Sequence, residues 1–90
     1  MSQVAYRLLS PPDVEEWFDD AAGADAAVAQ RLGLTPDQIV LLRRRITIDP
    51  IVVRRNSARW RSREVWSIRS DTGTIRVFEM VWIDETLYDH

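Results

Sequence analysis

The second half of this sequence contains two runs of alternating residues joined by a turn, and that pattern leaves few folds open. From Ile39 onward, apolar residues recur at every second position, which is the spacing of a β-strand. Between the runs 59–69 and 74–83 lies Ser70-Asp71-Thr72-Gly73, where Gly73 suits the positive φ of a tight turn. The sequence therefore predicts a hairpin of two long antiparallel strands.

This hairpin predicts which side chains share a face of the sheet. With the four turn residues as the loop, Arg69 pairs with Thr74, and a regular register then sets Glu64 opposite Glu79. The same, more apolar face would also carry Trp60 and Trp66. Like charges opposite each other destabilise a sheet unless a cation, a proton or a ligand intervenes. Two interpretations stay open: a binding site around both acids, or separate ion pairs between each acid and a neighbouring Arg.

The first third of the chain carries helix signals. Val4 to Leu9 is strand-like, and Ser10-Pro11-Pro12-Asp13 then has the residue types of a helix start, with Ser10 as the N-cap. We expect that helix to end near Gly23. Asp25 is the expected N-cap of a second helix through Leu32, with Gly33 as its C-cap.

Together these patterns predict an α+β fold, with two short N-terminal helices packed on an antiparallel β-sheet of three to five long strands. We expect one domain over residues 1–90, helical at 10–33 and a sheet at 39–84. Ile39 to Ile48 is predicted as strand, after which Asp49-Pro50 either turns the chain or bends one long strand that continues through Val53. A domain this small buries only about 60–65% of its unfolded surface, so we expect a homodimer or a complementary chain.

Composition excludes several classes of function. Cysteine is absent, which excludes disulfides and thiol chemistry. No apolar run approaches the roughly 20 residues of a membrane helix, and the N-terminus does not resemble a signal peptide, so we expect a cytoplasmic protein without membrane contact. The single His is the last residue, His90, and neither a Gly-rich phosphate loop nor metal-ligand spacing occurs. We therefore expect no metal or cofactor, and any chemistry would depend on carboxylates and arginines.

Charge is unevenly distributed along the chain. All 12 cationic residues are Arg, of which 11 lie in residues 31–76 together with only four acids. Residues 1–30 carry six acids and one Arg, and residues 77–90 carry four acids and no base. Two explanations for the absence of Lys stay open. One is codon usage in a GC-rich genome. The other is a binding site for carboxylates or phosphates, because guanidinium presents a planar fork of donors.

A helix-turn-helix over residues 25–44 is a weaker alternative. Ala29, Gly33 and Ile39 have suitable spacing, and three arginines from Arg43 would end the second helix beside a phosphate backbone. Against it, residues 39–42 favour a strand and the net charge is −2. We therefore do not expect nucleic acid as the partner.

The middle of the chain resembles a known family. Arg31-Leu32-Gly33-Leu34-Thr35-Pro36, followed by strand-like residues, resembles the C-terminal half of chorismate lyase, in which Leu-Gly-x-Thr-Pro leads into long antiparallel strands. Similar residues continue in order over roughly residues 28–88: Thr47-x-Asp49, Arg55, Trp60, Arg63, Gly73, Glu79 and Leu87-Tyr88. The same fold forms the ligand-binding (UTRA) domain of GntR-type regulators, which Ala29-x-x-Leu32-Gly33 and Val40-Leu41-x-Arg43 also resemble.

The resemblance implies helices that close over a buried small-molecule pocket on a sheet. It assigns Glu79 to the hydroxyl or ether end of the substrate, as the candidate catalytic acid. The candidate substrate-binding residues are Arg55, Trp60, Arg63, Glu64 and Trp66. The family's carboxylate-binding Arg lies in an N-terminal half without counterpart here, so either the chain is not a lyase or a second chain supplies that half.

Three functions follow as hypotheses. The leading one is a small chorismate-lyase-like protein that binds, and in its enzymatic form transforms by metal-free general acid catalysis, a small aromatic or enolpyruvyl-type carboxylate. The second is a non-catalytic effector-binding module of a regulator. The third is a protein-interaction module, such as an antagonist, that presents the arginine-rich strands.

Overall fold

The chain folds into one antiparallel sheet and two helices, and the computed structural model describes residues 3–55 and 57–85. The strands are β1 (Val4–Ser10), β2 (Val14–Phe18), β3 (Arg44–Arg45), β4 (Ile51–Arg55), β5 (Ala58–Ser70) and β6 (Gly73–Glu85), and the helices are α1 (Ala21–Leu32) and α2 (Pro36–Leu42). The strand order is β2-β1-β6-β5-β3, and β4 also pairs with β5. The predicted α+β class, with two helices and an antiparallel sheet, is confirmed. The sheet has six strands, of which only β5 and β6 are long.

The predicted helix from residue 10 is wrong, because this segment is a β-hairpin. β1 and β2 pair from Tyr6 with Phe18 to Ser10 with Val14, and the turn contains a cis peptide bond between Pro11 and Pro12. A proline disfavours helical backbone in the residue before it, so Pro12 prevents Pro11 from opening a helix. The strand-favouring residues Val, Trp and Phe of β2 then pair with β1.

Capping residues set the true limits of both helices. The Asp20 side chain, rather than that of Asp25, caps α1 by accepting a 2.7 Å hydrogen bond from the Gly23 amide. Gly33 ends α1 as predicted, with a left-handed φ of 68°. Thr35 and Gln38 then form a capping box that starts α2, so residues 39–42 are helical rather than the predicted strand. Local capping has overridden their β propensity.

Residues 44–55 form one edge strand of the sheet that is interrupted in the middle. β3 and β4 both run antiparallel to β5, so Asp49-Pro50 bends a strand rather than turning the chain. β3 pairs with residues 66–67 and β4 with residues 58–62 of β5. Five loop residues, 46–50, therefore lie opposite only three residues of β5, and the β3–β4 loop must project away from the sheet.

The β5–β6 hairpin has the predicted turn but not the predicted register throughout. Arg69 pairs with Thr74 as expected, and Gly73 has a φ of 133°. A Cβ at Gly73 would lie 2.9 Å from Pro11 Cγ, so the two hairpin turns touch. Further along, a β-bulge between Glu64 and Trp66 leaves Val65 without a partner on β6.

This bulge overturns the predicted pair of acids. Glu64 lies opposite Phe78, and Arg63 lies opposite Glu79. One extra residue shifts the alternation, so Glu64 and Trp66 project from opposite faces of the sheet. Trp60 likewise shares the face of Glu64 and not that of Glu79, because it pairs with Trp82.

The helices cover half of one face, here called the helix face. Its buried residues pack together with the inner side of both helices, and this cluster is the main core: Leu8, Trp66, Ile68, Ile75, Val77, Ala24, Val28, Ala29 and Ile39. Beyond Glu79 the same face becomes exposed at Val4 and Ile83. The helix layer is thus shorter than the strands beneath it.

The other face, here called the open face, has no helix on it, yet it also buries side chains. Met80 is 0% exposed, and Ser62 opposite it is also buried. Trp17 on β2 and Trp60 on β5 belong to strands separated by β1 and β6, about 14 Å apart in a flat sheet. Their ring centroids nevertheless lie 5.1 Å apart, so the sheet curls around this face and buries it.

Candidate functional site

Two backbone irregularities meet at one place on the sheet. The β5 bulge at Val65 and the projecting β3–β4 loop lie side by side, and the Ile46 amide donates a 3.2 Å hydrogen bond to the Val65 carbonyl. Bulges are frequent beside functional sites because they redirect side chains. Here they leave a groove on each face of the sheet next to the loop.

The helix-face groove has a volume of about 390 Å³ and is open to solvent. Its lining residues are Arg45, Ile46, Thr47, Ile48, Asp49, Arg63 and Val65. Two guanidinium groups, one carboxylate and three branched apolar side chains therefore share one concave surface with a net charge of 2 − 1 = +1. This volume is at the lower end of the roughly 300–1,000 Å³ that is typical of small-molecule sites.

An ion pair holds Arg63 at the margin of this groove. Arg63 Nη2 donates a 2.9 Å hydrogen bond to Glu79 Oε1, and the side chains are 50% and 28% exposed. Tyr6 flanks Glu79 on the other side, where it is the cross-strand neighbour on β1. Burial raises the pKa of Tyr6, and the Glu79 carboxylate raises it further.

A second ion pair lies beneath the helices near the same site. Arg43 Nη1 is 3.5 Å from Asp25 Oδ1, and the Arg43 guanidinium carbon lies 5.4 Å from the centre of the Trp66 ring. Burial raises the pKa of Asp25, while the Arg43 charge opposes that rise. Asp25 Oδ1 and Arg43 Nε are buried without a hydrogen-bond partner, so this pair is poorly satisfied.

The six predicted site residues do not form one site. Glu79, Arg63 and Trp66 lie on the helix face, where Trp66 is buried in the core. The other three lie on the open face: Arg55, Trp60 and Glu64. Glu79 and Arg63 are brought together as an ion pair rather than as part of a pair of acids, and Arg55 and Trp60 meet separately around Trp17 on the open face.

The open face has a cluster of its own around Trp17. The Arg55 guanidinium carbon stacks 4.3 Å from the Trp17 ring centre, and Trp60 meets Trp17 edge-on with the ring planes inclined by 65°. Arg7 Nε donates a 2.7 Å hydrogen bond to Glu15 Oε2 beside them. That hydrogen bond lowers the pKa of Glu15. Each charged group here already has a partner, so the cluster serves to bury this face.

Sequence reasoning missed Arg45 and Tyr6 as members of the site. The sequence suggests a role for Arg45 only as one of the three arginines of a helix-turn-helix, whereas its pairing opposite Trp66 places it on the helix face. The outlying Leu87-Tyr88 and His90 fall outside the described residues. Among the described residues, no cluster of three His, Cys, Asp or Glu side chains could hold a metal ion.

Two consecutive helices are present, as the helix-turn-helix alternative requires, but the exposed side of α2 is apolar. Val40, Leu41 and Leu42 are exposed there, and the only charged residue within α2 is Asp37. Such a surface favours contact with protein over contact with a phosphate backbone. In the described part of the chain, neither helix has the length and apolar character needed to cross a membrane.

Comparisons with family models, with curated proteins and with solved structures find no match to this chain. The resemblance to chorismate lyase and UTRA domains therefore stays a prediction from the residues quoted above.

Proposed function

We propose that this chain binds a small carboxylate with an apolar body in the helix-face groove, as a binding module without a catalytic step. The observation that carries the proposal is the meeting of the bulge and the β3–β4 loop, which places two cations, Arg45 and Arg63, and one acid, Asp49, around apolar side chains. Guanidinium groups bind carboxylates with paired hydrogen bonds, and branched side chains accept an aromatic or aliphatic body.

Arg45 is the better anchor for the ligand carboxylate. It is exposed, and within residues 3–55 and 57–85 no ion pair or hydrogen bond occupies its guanidinium group. Arg63 contributes a second positive charge through the nitrogens that do not contact Glu79. Ile46, Ile48 and Val65 supply the apolar side of the groove.

In this proposal Glu79 positions Arg63 rather than donating a proton. Its carboxylate accepts the Arg63 hydrogen bond at 2.9 Å, which orients the guanidinium toward the groove margin. The partial exposure of both side chains limits the cost of keeping them charged. Chorismate-lyase-like turnover would need Glu79 to be released from that ion pair.

Isothermal titration with 4-hydroxybenzoate, benzoate and an enolpyruvyl acid tests this function. We expect saturable binding that weakens at least about tenfold in Arg45→Gln and in Arg63→Gln, since each removes a charge-assisted contact. Arg61→Gln is the matched control, because Arg61 is exposed on the same face but does not line the groove. Benzyl alcohol should not bind. Equal affinities in all variants would exclude the groove as the site.

A second candidate function, protein interaction, is favoured by a run of exposed apolar residues. Leu41 is 83% exposed, and the other large exposed side chains of this run are Val40, Leu42, Ile48, Ile51 and Val52. They belong to α2, the β3–β4 loop and the edge strand β4. We infer a homodimer that covers α2, because Val40, Leu41 and Leu42 expose three consecutive apolar side chains on this short helix.

Sedimentation velocity at several concentrations tests the dimer. We expect Leu41→Glu to shift the protein to a monomer, while Val4→Glu, which changes an exposed apolar residue on another strand, leaves the dimer intact. A wild-type protein that stays monomeric at the highest concentration would contradict this candidate without affecting the carboxylate site.

A further inference from the structure

The open face carries a row of arginines at its hairpin end that the proposed function does not use. Arg44 on β3 lies opposite Ser67 on β5, and Ser67 lies opposite Arg76 on β6. Cross-strand partners project from the same face, so two guanidinium groups flank one hydroxyl. Next along the hairpin, the pair of Arg69 and Thr74 adds another cation and another hydroxyl to this face.

Within the part of the chain that the structure describes, these cations lack protein partners. Arg44, Arg69 and Arg76 are exposed, and none of them forms an ion pair or hydrogen bond with another residue of the described chain. The carboxylates on the same face do not compensate them. Glu15 is held by Arg7, and Glu64 forms no ion pair with any described cation.

A groove of about 390 Å³ lies over this row, on the other side of the β3–β4 loop from the helix-face groove. Its lining residues are Arg44, Arg45, Ile46, Ile48, Glu64, Ser67, Thr74 and Arg76. Arg45 projects from the helix face and borders this groove only at the strand edge, so the charged residues of the open face in the lining, Arg44, Arg76 and Glu64, give a net charge of 2 − 1 = +1. The positive charges of this surface repel one another until an anion binds.

We propose that the open face binds a phosphate group above Ser67, between Arg44 and Arg76. Neighbouring strands are about 4.8 Å apart, so the Cα atoms of these arginines lie about 10 Å apart on either side of Ser67. Both side chains can then converge on one group from opposite directions. The hydroxyls of Ser67 and Thr74 donate from below.

The donor arrangement fits phosphate better than carboxylate. A carboxylate has two acceptor oxygens and one negative charge, which a single guanidinium fork can match. A phosphate has three or more acceptor oxygens and up to two negative charges, which match two opposed forks and two hydroxyls. Inorganic phosphate, a nucleotide and the backbone of a nucleic acid share this chemistry.

Titration at fixed ionic strength with inorganic phosphate, AMP and a ten-residue thymidine oligonucleotide tests the proposal. We expect wild-type protein to bind at least one of them, and the double variant Arg44→Gln/Arg76→Gln to bind it at least about tenfold more weakly. Arg61→Gln, which removes one exposed charge from the other face, should leave the affinity within about twofold.

Ser67→Ala distinguishes binding through specific donors of this site from nonspecific electrostatic attraction. It keeps all arginines, so weaker phosphate binding without a change in the salt dependence supports a hydroxyl contact. The three probes distinguish the possible origins of the phosphate group. Oligonucleotide binding whose affinity falls steeply with salt indicates a nucleic-acid backbone. Binding of AMP or inorganic phosphate without binding of the oligonucleotide indicates a terminal phosphate. No binding of any probe, or an equal loss in Arg61→Gln and in the double variant, overturns the proposal.

Discussion

The two faces of the sheet bury side chains by different means. On the helix face, aliphatic residues such as Leu8 and Val77 are covered by a separate layer, α1 and α2. On the open face, Met80 is equally buried although no helix lies over it, because the curled sheet brings Trp17 against Trp60 and Arg55. A strand pattern therefore shows that a face is buried without showing what buries it.

The largest expected effects come from truncating one buried side chain on each face. We expect Leu8→Ala and Met80→Ala each to lower the free energy of unfolding by about 2–4 kcal/mol, because both residues are 0% exposed and leave cavities. Urea denaturation at one protein concentration measures both. A loss below about 1 kcal/mol for Met80→Ala alone would show that the open face is not a second core.

A smaller effect tests the contact that closes the open face. In a double-mutant cycle of Trp17→Leu with Arg55→Met, we expect a coupling energy of about 0.5–1 kcal/mol from the stacked guanidinium. The same cycle with Arg61→Met is the control, because Arg61 lies on the helix face. Equal couplings in the two cycles would mean that β4 does not pack against β2.

The Arg63–Glu79 ion pair of the helix face should contribute little to the free energy of unfolding. We expect Glu79→Gln to lower the free energy of unfolding by about 0.5–1 kcal/mol, since Arg63 loses its counter-charge but stays half exposed. Glu64→Gln, on the open face, should change it by less than about 0.5 kcal/mol. A gain in stability for Glu79→Gln would instead support repulsion between the two acids, which a regular register predicts. Thermal unfolding of both variants decides this.

The Arg7–Glu15 ion pair of the open face should contribute least to the free energy of unfolding, and its contribution should depend on pH. The Arg7 hydrogen bond lowers the pKa of Glu15 in the folded protein below the ordinary 4.5. Its stabilisation is therefore present above pH 4.5 and is lost as the pH falls through the lowered pKa.

Because the Glu15 side chain is 43% exposed, solvent screens the pair, and we expect Glu15→Gln to lower stability at pH 7 by only about 0.5 kcal/mol. The difference from wild type should vanish in strong acid. A difference that persists there would reflect packing of the side chain rather than its charge. The measurement is the melting temperature of wild type and of Glu15→Gln from pH 7 down to strong acid.

Local signals in the sequence were sufficient to predict elements that depend on a few consecutive residues, such as turns and helix ends. The Ser70–Gly73 turn predicted the hairpin and the pairing of Arg69 with Thr74, and Gly33 predicted the end of α1. Competing local signals caused the errors: the capping box at Thr35 outweighed a β-prone run, and Pro12 excluded a helix that Ser10 appeared to cap. Both of the opposing signals are present in the sequence, and the stronger one in each case acts on backbone conformation directly.

The candidate site was predicted less well, because it depends on features without a residue signature. Nothing in Glu64-Val65-Trp66 distinguishes a bulge from a regular strand. The excess length of the β3–β4 loop appears only when both pairings with β5 are known. A regular register places Glu64 and Trp60 on the face of Glu79 and Arg63 on the other face, and the structure reverses all three placements relative to Glu79.

The Val65 bulge also makes β5 tolerant of a change in length. Deleting one residue from a regular strand reverses the orientation of every residue on one side of the deletion. At Val65 the opposite holds, because Glu64 and Trp66 already face the consecutive residues Phe78 and Val77. A descendant chain lacking Val65 would keep the register of both halves of the strand with β6, although it would lose the core contacts of Val65 and the hydrogen bond from the Ile46 amide. Evolution can therefore add or remove this residue, reshaping the neighbouring grooves while conserving the rest of the sheet.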